Sequence, residues 1–208
     1  MLRSAFWTGI ASGMMVGIGG TVYLSCENKV VGAVLFSVAL LVICLLGFYL
    51  YTGKIGVFME KPDKMSAIAL PIGLAGNVLG AALTGVLTAI AKPSLIDAAQ
   101  KACASKLENG MLRGLIAAVF CGVLMYAAVK TYGAKGTLVG IIFCIPTFIL
   151  CGFEHSIADV YYFTVASMRG AFDPMRVVFI LVAVLGNTLG GWALPLLVRL
   201  AQGKEQVR

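Results

Sequence analysis

His155 is the single histidine of the chain, and its neighbours Glu154 and Asp159 are ionisable as well. All three fall in Gly152-Phe-Glu-His-Ser-Ile-Ala-Asp159, which interrupts an apolar segment. An imidazole changes charge near neutral pH, so it can gate or pass a proton. A carboxylate such as Glu154 needs a basic partner or a proton in apolar surroundings. Asp159 follows His155 by about one helical turn, so the two share a face, within hydrogen-bonding reach, if a helix resumes there. Bond-breaking chemistry is poorly served by the same residues. One histidine without clustered carboxylates or thiols offers no zinc-type ligand set. No Gly-x-Ser-x-Gly elbow or phosphate loop occurs. Ser156 adjoins His155, and adjacent residues rarely face each other as nucleophile and base. The expectation is a solute path with proton handling, and neither a catalytic residue, a metal nor a cofactor.

The elements that position these residues are apolar. The chain has 208 residues, of which 60% are hydrophobic and 12% charged, against about 25% charged in soluble domains. Ala5–Cys26, Val30–Gly53, Met65–Ala91, Gly114–Val129 and Gly136–Phe153 contain no Asp, Glu, Lys or Arg, and Val177–Val198 makes a sixth run. Each approaches the roughly 17–25 residues that a spanning helix needs. The first run is too long for a signal-peptide core and reads as a retained helix. Ionisable groups inside such spans are costly, which makes His155, Glu154 and Asp159 functional candidates. The net charge of +7 resides in short loops without an aromatic and basic platform, so nucleic acid is not an expected partner. The six cysteines form no Cys-x-x-Cys pair and read as small hydrophobes.

The sequence repeats its punctuation. Gly47-Phe48, the polar triplet Thr52-Gly53-Lys54 and a helix carrying Gly76-Asn77-Val-Leu-Gly80 occur in the first half. Gly152-Phe153, the triplet Glu154-His155-Ser156 and Gly186-Asn187-Thr-Leu-Gly190 occur in the second. The triplets predict two broken helices, continued by Ile55–Met59 and Ile157–Met168. Irregular backbone at membrane depth survives where it lines a cavity or is buried in protein. Three spans per half predict an inverted 3+3 repeat, with halves of about 1–95 and 105–208 in a single transmembrane domain, 1–208, and a solute site at their interface. Asn77 and Asn187 are placed on the solute pathway with Lys54, and read there as interhelical glue or as clamps on the broken backbone of their own halves. Gly9, Gly13 and Gly17 have the spacing of close helix packing. A small excess of Lys and Arg on the side carrying the termini predicts cytoplasmic termini.

These motifs resemble those of the formate/nitrite transporter family. Gly152-Phe-Glu-His-Ser-Ile-Ala is similar to its most characteristic motif, Leu50-Tyr-Thr-Gly to its first broken helix, and Gly76-Asn77 and Gly186-Asn187 to its two Gly-Asn helices. The resemblance implies an aquaporin-like, all-α fold of six transmembrane helices, assembled as a homopentamer in the cell (inner) membrane. It implies a central His155 preceded by Glu154 and bonded by Thr52. It implies a constriction at Phe36, Leu40, Leu50, Tyr51 and Phe148, and a vestibule lysine at Lys106, with Lys101 as the alternative. It also implies flux of a small anion or its weak acid (formate, nitrite or hydrosulfide) linked to protons. A lactate- or acetate-type monocarboxylate transporter and an aquaporin-like channel for a neutral solute are the alternatives. The chain departs from the family pattern at Lys54, where Asn is usual, at Asp159, also usually Asn, and at Cys121-Gly122 in the fourth span. These departures bear on the substrate.

Overall fold

The computed structural model describes residues 1–170 and 173–202. Nine helices occur among them: α1 (Leu2–Ser25), α2 (Lys29–Leu45), α3 (Tyr51–Glu60), α4 (Lys64–Ala91), α5 (Leu95–Asn109), α6 (Met111–Lys135), α7 (Val139–Leu150), α8 (Ser156–Ser167) and α9 (Met175–Gln202). Four of them, α1, α4, α6 and α9, are individually long and apolar enough to cross a bilayer. The shorter α2 and α7 are apolar as well, and each runs into a break followed by a short helix, α3 or α8.

The two breaks have one design. Gly47 and Gly152 both adopt φ +67°, a left-handed conformation that glycine takes without a Cβ penalty. The next residue then closes the helix: Phe48 N–H donates to Ile43 O and Phe153 N–H to Phe148 O, both at 2.9 Å. This six-to-one bond with a glycine at the left-handed position is a Schellman stop. The repeated Gly-Phe pair is therefore the terminator of each first half-helix. The breaks span residues 46–50 and 151–155. That corrects the expectation for the first half, because Thr52, Gly53 and Lys54 lie in the opening turn of α3 and not in the interruption. The continuing helices are also longer than expected at their N-terminal ends, beginning at Tyr51 and Ser156.

Tight pairing of α1 with α4 and of α6 with α9 holds the bundle. A methyl on Gly80 would overlap Ile10 O, and one on Gly190 would overlap Val119 O. Absent side chains let the backbones approach, which suits helices that gain little from hydrophobic burial in lipid. Large apolar side chains such as Ile90, Phe143, Leu181 and Leu197 point outward. A soluble monomer rarely shows contiguous apolar patches on this scale, so the surface fits lipid or neighbouring subunits. The amphipathic α5 joins the halves, packs against α8 and carries Lys106.

Candidate functional site

Three cavities follow one another through the protein. The first, about 390 Å³, is lined by Leu40, Ile43, Leu50, Lys54, Glu60 and Lys130, among others. The second, about 10 Å³, shares Leu40, Ile43 and Leu50 with it and adds Phe36, Phe148 and His155. The third, about 150 Å³, shares Phe36, Phe148 and His155 and adds Lys106, Asp159 and Tyr162. Leu40 and Leu50 thus part the first cavity from the middle one. Phe36 and Phe148 part the middle from the third, their rings edge to face with centroids 6.4 Å apart.

Asn77 and Asn187 place the tips of α3 and α8 at this passage. A helix N-terminus leaves backbone N–H groups without partners, and Leu50, before α3, has no side chain to accept one. Asn77 Oδ1 accepts from Tyr51 N–H at 2.8 Å, while its Nδ2 donates to Tyr49 O at 2.8 Å and Gly9 O at 2.9 Å. Asn187 Oδ1 accepts from Ser156 N–H at 2.9 Å, and its Nδ2 donates to Glu154 O at 2.8 Å and Ala118 O at 2.9 Å. Each amide therefore ties three segments: the break, the short helix and a neighbouring long helix. Both are fully buried and line none of the three cavities. They are clamps behind the path, which corrects their expected place within it.

His155 is the residue before α8 and caps it. Its Nδ1 accepts from Ala158 N–H at 3.2 Å, so Nδ1 carries no proton in this geometry. The neutral ring then holds its proton on Nε2, which donates to Thr52 Oγ1 at 2.9 Å. The imidazole stacks on Phe148, with centroids 5.7 Å apart. Thr52 and His155 come from the tips of the two short helices, so their bond joins the halves at the middle cavity.

The match to known proteins spans the chain. Residues 1–201 match the sequence profile of the formate/nitrite transporter family. The chain belongs to the formate/nitrite transporter family. Over 180 residues it is 28% identical to the uncharacterized transporter YrhG of Bacillus subtilis (strain 168), covering 79% of this chain and 68% of that protein. It is 26% identical over 194 residues to the probable formate transporter of Methanothermobacter thermautotrophicus, covering 78% and 71%. Its fold is similar to that of a pentameric formate channel with formate bound, at a TM-score of 0.81 and 17% identity, covering 100% of this chain and 98% of that one. It is likewise similar to an ion channel of the same family, at 0.78 and 21%, covering 97% and 89%. Family membership and the apolar helices make this a multi-pass membrane protein of a transport family. These relatives are channels and transporters, not enzymes.

Within this family fold the remaining expected residues take distinct places. Lys106 Nζ is bonded to Glu154 Oε2 and lies 3.0 Å from Asp159 Oδ1. It also sits over the Tyr162 ring, 5.9 Å from the centroid. Lys101 is exposed and lines none of the cavities. The Asp159 carboxylate turns to Lys106 and does not bond the His155 ring, contrary to the hydrogen bond expected from their spacing. Lys54 lines the first cavity, at the far end from Lys106, with its Nζ 5.9 Å from the Tyr49 ring centroid. Tyr51 is a correction: its ring packs with Ile55 and Leu70, its hydroxyl lies 2.8 Å from Thr188 Oγ1, and it borders no part of the passage. Sequence reasoning missed Ile43, Met125 and Ile145 in the middle cavity, and the Glu60–Lys130 pair at 2.6 Å in the first. The apolar residues carry no motif. Glu60, Tyr126 and Lys130 meet only through tertiary packing.

Proposed function

We propose that the chain carries small monovalent anions of the formate, nitrite or hydrosulfide class, or their weak acids, across the cell membrane with proton linkage. The observation that carries this reading is the string of three cavities with His155 at its narrow middle, between two apolar constrictions. The relatives add weight, one being a pentameric formate channel with formate bound and another a probable formate transporter. The protomer would span the membrane six times, with α2–α3 and α7–α8 each counting as one span. The two halves, about 1–95 and 105–208, would form one inverted-repeat unit. Five such units would make a homopentamer with cytoplasmic termini.

The electrostatics select the species that crosses. An idealised carboxylate-sized ion moved into low dielectric meets a penalty of order 20 kcal/mol, and several kcal/mol remain after relaxation. Phe36 and Phe148 offer no hydrogen bond to offset it. An anion gathered near Lys106 or Lys54 therefore crosses most easily after taking a proton, because desolvation favours the neutral acid. In the middle cavity the imidazole of His155 is the polar group a small acid would meet, held in place by its bond to Thr52 behind the lining. The 10 Å³ space holds about one water molecule, so the path widens for any of these solutes, and least for the smallest.

Uptake of formate, nitrite, hydrosulfide, lactate and acetate into proteoliposomes, each at two pH values, tests the reading. Formate, nitrite or hydrosulfide should enter well above protein-free vesicles and faster at the lower pH. Flux confined to glycerol or water, or no flux at all, would reject it.

A further inference from the structure

Glu154 and Asp159 share one ammonium group. Lys106 bonds Glu154 Oε2 and Asp159 Oδ1, and both carboxylates are buried, Asp159 to 1% exposure. Asp159 Oδ2 has no hydrogen-bond partner among the described residues, and Asp159 lines the third cavity beside His155, Phe36 and Phe148. Other titratable groups face the cluster from each surrounding element: Tyr23 from α1, Cys103 from α5, Cys121 from α6, and His155 and Tyr162 from α8. None of these is a second cation. Arg176 of α9, beyond Cys103, donates to Ser167 Oγ at 2.6 Å.

Two ionised carboxylates against one ammonium would leave a buried net charge of −1. Such a charge is costly in itself and repels an incoming anion. A single proton shared between the carboxylates removes both difficulties. Asp159 is the member of the carboxylate pair that lines the third cavity, so a proton held by the pair lies beside it. His155 is not equipped for the same task. Its Nδ1 is occupied by the Ala158 N–H, and loss of its Nε2 proton would leave an imidazolate.

We propose that Glu154, Asp159 and Lys106 form a proton-holding site, and that this site, not the imidazole of His155, protonates an anion arriving at the Phe36–Phe148 constriction. The proton passes from the carboxylic acid to the basic atom of the anion. The products are the neutral weak acid and a cluster of net charge −1. Water in the third cavity then returns one proton to the cluster from bulk solution, and the reverse sequence serves flux in the other direction. The delivery step rests on the transport reading above. The existence of the proton site does not.

Infrared spectroscopy of the purified full-length protein tests the site directly. At neutral pH the wild type should show a protonated-carboxyl carbonyl stretch that shifts in heavy water. Asp159→Asn should lose it, because Glu154 and Lys106 then form a neutral ion pair. Asp159→Glu should keep it, which separates loss of the proton from loss of the fold. In proteoliposomes, formate uptake should rise almost in proportion to proton concentration for wild type and Asp159→Glu, and Asp159→Asn should lose most of that slope. Absence of the band in wild type, its persistence in Asp159→Asn, or an unchanged pH slope in that variant would overturn the proposal. A protein that shows the band but moves no anion would sink the transport reading and the delivery step, while upholding the proton-holding site.

Discussion

Thr52 Oγ1 and His155 Nε2 lie 2.9 Å apart, although 103 positions separate them in the chain. Both are buried, Thr52 completely. The bond fixes the imidazole as its Nε2–H tautomer, because Nδ1 is already committed to Ala158 N–H. It also locks the tip of α3 to the tip of α8.

Thr52→Val keeps the shape of the side chain and removes the acceptor. The Nε2–H is then a buried donor without a partner, a loss of about 1–3 kcal/mol. Melting of the purified protein should move down accordingly, and anion flux should fall. Thr52→Ser should retain most of both. If Thr52→Val matched wild type in flux and melting, the bond would have neither role.

Asn77→Ala and Asn187→Ala each remove an amide that makes three hydrogen bonds. At roughly 1 kcal/mol per bond, with added cost for buried groups left unpaired, each variant should lose at least about 3 kcal/mol. Asp is expected to be little better than Ala at either position. Its carboxylate accepts the Tyr51 or Ser156 N–H, but it faces two carbonyl oxygens that it cannot serve as a donor. Thermal denaturation in detergent, read as loss of the monodisperse peak on a sizing column, checks the order of the four variants.

The same amides mark where sequence reading succeeded and where it failed. The recurrence of Gly-Asn in both halves singles these residues out as glue or as clamps, and their hydrogen bonds do both, to Gly9 O and Ala118 O on neighbouring helices and to the backbone of the breaks. Polar residues mark the expected breaks, and for residues 46–50 they mislead. Leu46, Phe48 and Leu50 are apolar, yet the helix stops there. The backbone of that break is served by Asn77 from another helix, so no local polar residue advertises it. Gly47, with its positive φ, was the better signal, and Gly152 carries the same one. Charge pairing was legible only in part. A buried Glu154 calls for a basic group on sequence grounds alone, but the pairing of Lys106 with both Glu154 and Asp159 depends on how α5 lies against α8. No spacing rule along α8 could reveal that contact. Tyr51 shows the converse limit. Its position in a motif implied the constriction, whereas its side chain turns away to Thr188.

Gly80→Ala and Gly190→Ala should disturb the bundle far more than their chemistry suggests. Each new methyl would run into a backbone oxygen, Ile10 O or Val119 O, that cannot rotate away. Overpacking of this kind typically costs about 1–3 kcal/mol or more. Gly133→Ala is the control, since nothing lies within 4 Å of a Cβ there. Replacing glycine by alanine inside a helix should favour that variant by up to about 1 kcal/mol. Loss of folded protein for the first two, with Gly133→Ala at wild-type yield, is the expected expression pattern.

Lys54 distinguishes the two ends of the passage. At the far end, Lys106 is held by two carboxylates. At the near end, Lys54 is exposed and makes no ion pair among the described residues, while Glu60 in the same cavity is taken by Lys130. The first cavity therefore keeps an uncommitted positive charge beside the Leu40–Leu50 constriction. Such a charge raises the local concentration of anions without binding them strongly. Lys54→Asn should raise the apparent KM for anion entering from this side and leave the saturated rate nearly unchanged. Because Lys54 faces water, the difference should shrink as salt is added, since charges are screened over about 10 Å at 0.1 M ionic strength. Entry from the Lys106 side should respond much less. Vesicles sorted by orientation, assayed at low and high salt, separate these outcomes. An equal change from both sides, or one insensitive to salt, would mean that Lys54 acts on the helix tip and not on the arriving anion.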